Sequence, residues 1–204
     1  MAVTAERFNQ GLTYDEYKAQ MTRNRDRFEA NEQRAEIDPA DLAAFKNLPQ
    51  PLNVLVLAED WCGDVISNLP VLGRLAAESG GKLNVRVFLR DQNLDIMDQY
   101  LKDGQFRSIP VFVFFDDEFN EIGRMLERPE SVTQELGRRR QELYTQNPDF
   151  GTPGAPPDQL PEDVRVRLMG AMGQMREEMR PFIDREVVRE VRAIVEGAPA
   201  AARA

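Results

Sequence analysis

Between Leu52 and Ala58 the chain reads LNVLVLA, a run of strand length rich in Val and Leu. A strand with so little polar alternation is buried on both faces, so the sheet that holds it needs a covering layer on each side. Glu59-Asp60-Trp61-Cys62-Gly63-Asp64 follows at once, and then apolar residues at helical spacing: Val65, Ile66, Leu69, Leu72 and Leu75. A buried strand feeding an amphipathic helix is the first half of a β-α-β unit, which makes a parallel strand pair with a helix across it. The only cysteine of the chain, Cys62, falls where strand hands over to helix. Unpaired backbone N–H groups and the positive end of the helix dipole favour thiolate over thiol at such a place.

The rest of the unit can be read in order. Gly80-Gly81 ends the helix, which Pro70 interrupts. Leu83 to Leu89 (LNVRVFL) alternates and then turns apolar, as a strand does. Asp91 to Leu101 reads as a short helix stopped by Gly104. Pro110 to Phe115 is a buried strand, and Asn120 to Leu126 is an edge strand carrying Glu121 and Arg124. The turn Asp116-Asp117-Glu118 makes these two an antiparallel hairpin. A closing helix from Glu130 to Tyr144 carries Val132, Leu136 and Leu143. The expected fold class is therefore α/β, with a βαβαββα core and a central mixed sheet over residues 52–146.

Helical additions flank this core. Residues 1–51 read as an N-terminal helical extension packed on the sheet. Thr13 with Glu16 forms a capping-box pattern ahead of Tyr14, Tyr17, Met21 and Phe28, and Asp38-Pro39 starts a further helix through Leu42, Phe45 and Leu48. Residues 147–161 are a Pro/Gly linker without room for regular structure. Residues 162–197 form C-terminal amphipathic helices, with Val164, Leu168, Met172, Met175 and Met179 on one stripe and Phe182, Ile183, Val187, Val191, Ile194 and Val195 continuing it past Pro181. That much apolar surface needs cover. Docking on the same chain, a homodimer contact and a groove for a foreign partner all remain open. Residues 198–204 are expected to be a disordered tail.

Strand, Trp61-Cys62-Gly63-x-x and helix together resemble the active-site turn of the thioredoxin superfamily, whose usual motif is WCGPC. Arg107-Ser108-Ile109-Pro110-Val111 resembles the family's second landmark, an Ile-Pro or Thr-Pro with a cis peptide bond set against the active-site cysteine. The resemblance covers about Leu52 to Leu143 and implies a thioredoxin fold. It also implies a groove formed by Trp61, Cys62, Gly63, Asp64, Ile109 and Pro110, with Arg107 and Ser108 flanking a ligand and the backbone of Ile109 pairing with a bound peptide or glutathione. The chain departs from the family at three places. Val65 stands where the resolving cysteine belongs, Val56 where the family often buries an acid, and Asp64 where the turn has proline. The pattern most resembles an atypical single-cysteine branch of the thioredoxin-like proteins, with an N-terminal helical extension and a WCGD turn.

Composition narrows the chemistry. The formal net charge of −9 argues against a nucleic-acid surface, and the absence of histidine removes Ser/His/Asp and Cys/His catalysis. One cysteine excludes an internal disulfide and a CxxC zinc site. No run approaches membrane-spanning length, the first residues lack the form of a signal peptide, and a free thiol fits the reducing cytoplasm.

Four readings compete for Cys62. It could be a monothiol site that attacks a protein or glutathione disulfide and is resolved by an external thiol, with glutathione as co-substrate and no bound cofactor. It could belong to a groove that binds protein or peptide without turnover. It could be an inert buried thiol. It could bridge a metal or iron–sulfur cluster between subunits, as single-cysteine glutaredoxins do, although their motif continues CGFS. Asp64 is the candidate acid/base beside the thiol, but Asp60 and Asp64 also read as caps at the helix start. Glu59, Asp60 and Asp64 together oppose the helix dipole and raise the thiol pKa.

Overall fold

The structure, a computed structural model, describes residues 3–197; the expected tail at 198–204 lies outside the described residues. The buried run forms β1 (Leu52–Ala58) at the centre of a four-stranded sheet of order β2-β1-β3-β4. β1 pairs in parallel with β2 (Leu83–Leu89), placing Leu52 opposite Leu83 and Ala58 opposite Leu89. It pairs antiparallel with β3 (Val111–Phe115), and β3 pairs antiparallel with β4 (Glu121–Leu126). The central mixed sheet expected from the strand pattern is the one observed.

Three short helices build the N-terminal layer: α1 (Ala5–Phe8), α2 (Tyr14–Gln20) and α3 (Arg25–Arg34). The capping box is formed: Thr13 Oγ1 accepts from the Glu16 amide at 3.2 Å, while Glu16 Oε2 accepts from the Thr13 amide at 2.7 Å. The apolar stripe read from Tyr14 to Phe28 is split, because Asn24 adopts a left-handed conformation (φ 56°) that separates α2 from α3. Tyr17, Met21 and Phe28 still reach the core. Leu12 exchanges two backbone hydrogen bonds with Val87 (2.9 and 2.7 Å) and so covers the outer edge of β2. α4 (Pro39–Lys46) starts at Asp38, whose carboxylate accepts from the Ala40 amide.

The helix after β1 is α5 (Gly63–Glu78). It is enclosed on nearly every side from Val65 to Leu75, which is the condition of a helix inside the protein rather than on its surface. The sheet covers one face, and α3 and α9 (Arg180–Val195) cover others. Pro70 has no N–H to give the Ile66 carbonyl one turn earlier. The Asn31 side-chain amide of α3 supplies that bond instead, at 2.8 Å. Arg180 of α9 donates to the Ser67 carbonyl at 2.6 Å and to its hydroxyl at 2.8 Å, and pairs with Asp184 in the same buried cluster. The carbonyl that the proline frees is thus satisfied from α3, and the neighbouring polar groups of Ser67 are bonded from α9.

Two segments differ from expectation. The helix read from Asp91 to Leu101 is reduced to a 3₁₀ turn at Arg90–Gln92 and one turn of α6 (Leu94–Met97). Asn93 separates them, its side chain donating to the Leu89 carbonyl at 2.7 Å, a local bond that competes with helix continuation. Residues 147–161 are not structureless. After α7 (Glu130–Gln146) they hold 3₁₀ turns at Pro148–Phe150 and Pro157–Gln159. Phe150, 4% exposed, anchors the segment in a small cluster with Tyr144, Val164 and Leu168.

α8 (Glu162–Glu178) and α9 fold back on their own chain. Leu168, Met175 and Met179 are buried there, and α9 packs on α4, α5 and β4. The stripe weighed as a dimer seam is thus covered from within, leaving Val166 and Met169 exposed. Among the described residues, no helix is long and apolar enough to cross a membrane.

Candidate functional site

Cys62 is the N-cap residue of α5 and is half-buried. Its Sγ lies 3.4 Å from the Ile109 carbonyl oxygen, to which the thiol donates. Ile109 and Pro110 are buried beside it and joined by a cis peptide bond. Burial pushes the thiol above its ordinary range; the amides of Val65 and Asp64 pull it down, and the charges of Asp64 and Glu127 push it up again. The outcome is upward. A group taken out of water at this position loses more from desolvation than two helix-start amides return.

The acidic residues around the turn do not act as their spacing suggests. Asp60 is no helix-start cap. Its Oδ2 accepts from the Thr22 and Arg23 amides at 2.7 and 2.9 Å, and its carbonyl accepts from the Asn24 side chain. It ties the α2–α3 connection to the turn that carries Trp61 and Cys62. Glu59 accepts from the Asp91 amide at 2.9 Å. Asp64 caps nothing either: its carboxylate meets Arg128 at 3.1 Å and Arg176 at 3.3 Å. The two arginines come from the β4–α7 connection and from α8, and both reach the carboxylate within a half-buried setting.

Trp61 is 44% exposed, with the Arg90 guanidinium 5.0 Å from its ring centroid. Arg90 also donates to the Arg107 carbonyl at 3.2 Å, bridging the tryptophan to the segment that leads into Ile109 and Pro110. The Arg107 side chain itself is held by Asp98 at 2.7 and 2.9 Å, so only its backbone carbonyl takes part in the bridge from Arg90. Ser108 lies half-buried next to Ile109. Gly63 follows the cysteine, and a Cβ there would come within 3.9 Å of Arg176 Nη1. Val65 and Val56, at the positions of the missing cysteine and acid, are fully buried apolar core.

Sequence spacing misses three residues of this site: Glu127, Arg128 and Arg176. Glu127 is placed by its amide, which donates to the Pro110 carbonyl at 2.7 Å, and by Lys102, which donates to its carboxylate at 2.5 Å. Its position directly after the edge strand is a signal available in the sequence; Arg176 lies in a flanking helix and carries none. Among the described residues no group of three or more metal-ligating side chains is assembled.

This is a thiol at a helix start, beside a proline loop at one end of the paired strands β1 and β3. The chain belongs to the thioredoxin family, whose model matches residues 11–143. Among solved structures it is similar to a protein of unknown function, PA1234, from Pseudomonas aeruginosa, with a TM-score of 0.68 and 21% identity over 98% of this chain and 100% of that one. It is also similar to an HIV epitope-scaffold, with a TM-score of 0.66 and 18% identity over 97% of this chain and 100% of that one. At these identities the likeness is one of fold, and it extends through the helical additions at both ends.

Proposed function

We propose that the protein is a monothiol thiol–disulfide exchange protein whose reacting group is Cys62. The observation that carries this reading is the placement of Sγ, half-exposed at the start of α5 and 3.4 Å from the Ile109 carbonyl beside the cis peptide bond. In the reaction, the Cys62 thiolate attacks one sulfur of a glutathione disulfide or of a protein–glutathione mixed disulfide. A new S–S bond forms to Cys62 and the other sulfur leaves as thiolate. An external glutathione thiolate then attacks the sulfur bound to Cys62, forming oxidised glutathione or a new mixed disulfide and releasing the Cys62 thiolate. Resolution from outside is required because Val65 occupies the place of a second cysteine. Trp61 with Arg90, Gly63, and the Ser108–Pro110 segment supply the groove, and Asp64 sets the local charge. A raised thiol gives little thiolate at neutral pH, so exchange is slow there and quickens toward alkaline pH.

A second reading, a groove that binds peptide without turnover, is favoured by that same upward shift of the thiol. Incubation with oxidised glutathione separates the two. Exchange predicts a mass adduct at Cys62, a change in the emission of Trp61 next to it, and neither in Cys62→Ser. Absence of an adduct up to alkaline pH, in a protein whose Cys62 alkylates normally, leaves the binding reading.

A further inference from the structure

Asn68 lies on α5 and is 1% exposed. A polar side chain so deeply buried is kept where it has something to bond. Its Nδ2 donates to the backbone carbonyl of Glu127 at 2.9 Å. Glu127 is the residue after β4, and it stands at φ 65°, in the left-handed region that a side chain rarely adopts. Across it the Arg128 amide donates to the Leu126 carbonyl at 2.8 Å, which closes a γ-turn of the strained hand. Strain of this kind persists only where the surroundings hold it.

The far side of the turn shows what is being held. The Glu127 amide donates to the Pro110 carbonyl at 2.7 Å. Pro110 has no N–H, so that carbonyl is the one backbone group it can offer the β3–β4 ladder. Ile109, directly before it, carries the carbonyl that accepts from Cys62 Sγ at 3.4 Å. A path therefore leaves α5 at Asn68, runs through Glu127, Pro110 and Ile109, and returns to α5 at Cys62. Every crossing between elements on this path is a hydrogen bond.

We propose that Asn68, by holding Glu127 left-handed, keeps the Ile109 carbonyl against the Cys62 sulfur, which makes it a positioning residue of the exchange site and rests on the monothiol reading above. The bond to Ile109 exists only while the sulfur carries its proton, so it favours thiol over thiolate. Asn68 thus restrains ionisation of Cys62 without touching it. The other groups that bear on the sulfur are the Asp64 and Val65 amides and the Asp64 and Glu127 carboxylates. Arg128 and Arg176 meet Asp64, Lys102 and Arg128 meet Glu127, and the Tyr17 phenol of α2 feels the charge of the sulfur. Asn68 is uncharged, so its replacement adds or removes no charge among them.

Asn68→Leu keeps the bulk of the side chain and removes the donor. Glu127→Gly supplies a residue that takes a positive φ without strain, so the turn no longer needs an anchor. The measurement is the pH dependence of Cys62 alkylation by iodoacetamide in the wild type, in each single variant and in the double variant. Asn68→Leu should move the midpoint to lower pH and quicken alkylation at pH 7 about threefold, the effect of losing one weak hydrogen bond to the thiol. Glu127→Gly lowers the midpoint by itself, because a carboxylate that raises the thiol is gone. In that background, adding Asn68→Leu should change the profile much less. Coincident profiles for Asn68→Leu and wild type overturn the assignment, as does a shift to higher pH or an equal shift in both backgrounds. Should Asn68→Leu not fold, the double variant decides: folding restored by Glu127→Gly supports the assignment, and folding not restored refutes it. If the wild type forms no glutathione adduct but Asn68→Leu displaces the profile as expected in the two backgrounds, the exchange reading fails and the role of Asn68 stands. If the adduct forms and the profiles coincide, the assignment of Asn68 fails alone.

Discussion

Arg176, close to the end of α8, reaches the carboxylate of Asp64 at 3.3 Å across 112 positions of the chain. Arg128 meets the same carboxylate oxygen at 3.1 Å. The charge beside the Cys62 thiol is therefore set by a helix that lies outside the βαβαββα core, and the C-terminal addition takes part in the electrostatics of the site.

Substitutions at the two ends of this pair should act in opposite directions. Asp64→Asn removes a negative charge that raises the thiol, so alkylation of Cys62 at pH 7 should quicken by about threefold. Arg176→Ala exposes the thiol to more of that charge and should slow the reaction by about as much. High salt should shrink both effects, since the pair is only partly shielded from solvent. Changes of the same sign in the two variants would show that the pair acts through packing instead.

The buried cluster of Arg180, Asp184 and Ser67 gives a test of stability. Arg180→Met leaves Asp184 in the interior without its cationic partner and takes the Arg180 donor from Ser67, at a cost of about 3–5 kcal/mol in urea denaturation near neutral pH. The pH dependence has a definite sign. Burial already pushes Asp184 up, against the pull of Arg180. Without the arginine the folded state holds a proton on Asp184 that the unfolded state has lost, so its stability rises as pH falls. The deficit of Arg180→Met should accordingly narrow under acid conditions, and a deficit that widened there would contradict the assignment.

Asn31 and Pro70 should be coupled. Asn31→Ala strips the donor from the Ile66 carbonyl, whose helical partner the proline has removed, and should cost about 1–3 kcal/mol. In a Pro70→Ala background the residue at 70 regains an N–H for that carbonyl, and the same Asn31→Ala change should cost measurably less. A double-mutant cycle in urea reads the difference directly. Strict additivity would mean that Asn31 acts through something other than the proline's missing bond.

Phe150→Ala tests whether residues 147–161 are anchored. Loss of a buried phenylalanine costs about 3 kcal/mol or more in a core, and here the loss falls on a small satellite cluster. Proteolysis within 147–161 should accelerate at least tenfold while Cys62 alkylation stays unchanged. Equal cleavage rates in wild type and variant would mean the segment is already open.

What can be read from the sequence follows the reach of the forces involved. The LNVLVLA strand, the VFVFF strand, the Thr13–Glu16 box and the proline in α5 are local in their causes, and each is found where its pattern places it. The helix expected at Asp91–Leu101 failed on a single side chain, Asn93, whose bond to Leu89 outcompetes the next helical turn. Phe150 was hidden because Pro and Gly dominate its neighbourhood, although one buried aromatic is enough to fix such a segment. The site divides the same way. Cys62, Trp61 and Pro110 declare themselves through motif and position. Asp60 and Asp64 were visible, but their partners Thr22, Arg23, Arg128 and Arg176 lie far along the chain, where no spacing rule connects them.

The bridge between Leu12 and Val87 bears on how the protein keeps to itself. β2 lies at one margin of the sheet, and an uncovered margin offers a row of N–H and C=O groups to any strand that comes near. Leu12 fills that row at Val87 with two short bonds, and the chain turns away into α2 before it could lengthen into a strand. A single residue, bonded on both sides and followed at once by a capped helix, ends the sheet on that side without creating a new margin. A version of this domain begun just past Leu12 is therefore expected to self-associate more readily than the full chain, which light scattering of the two would check.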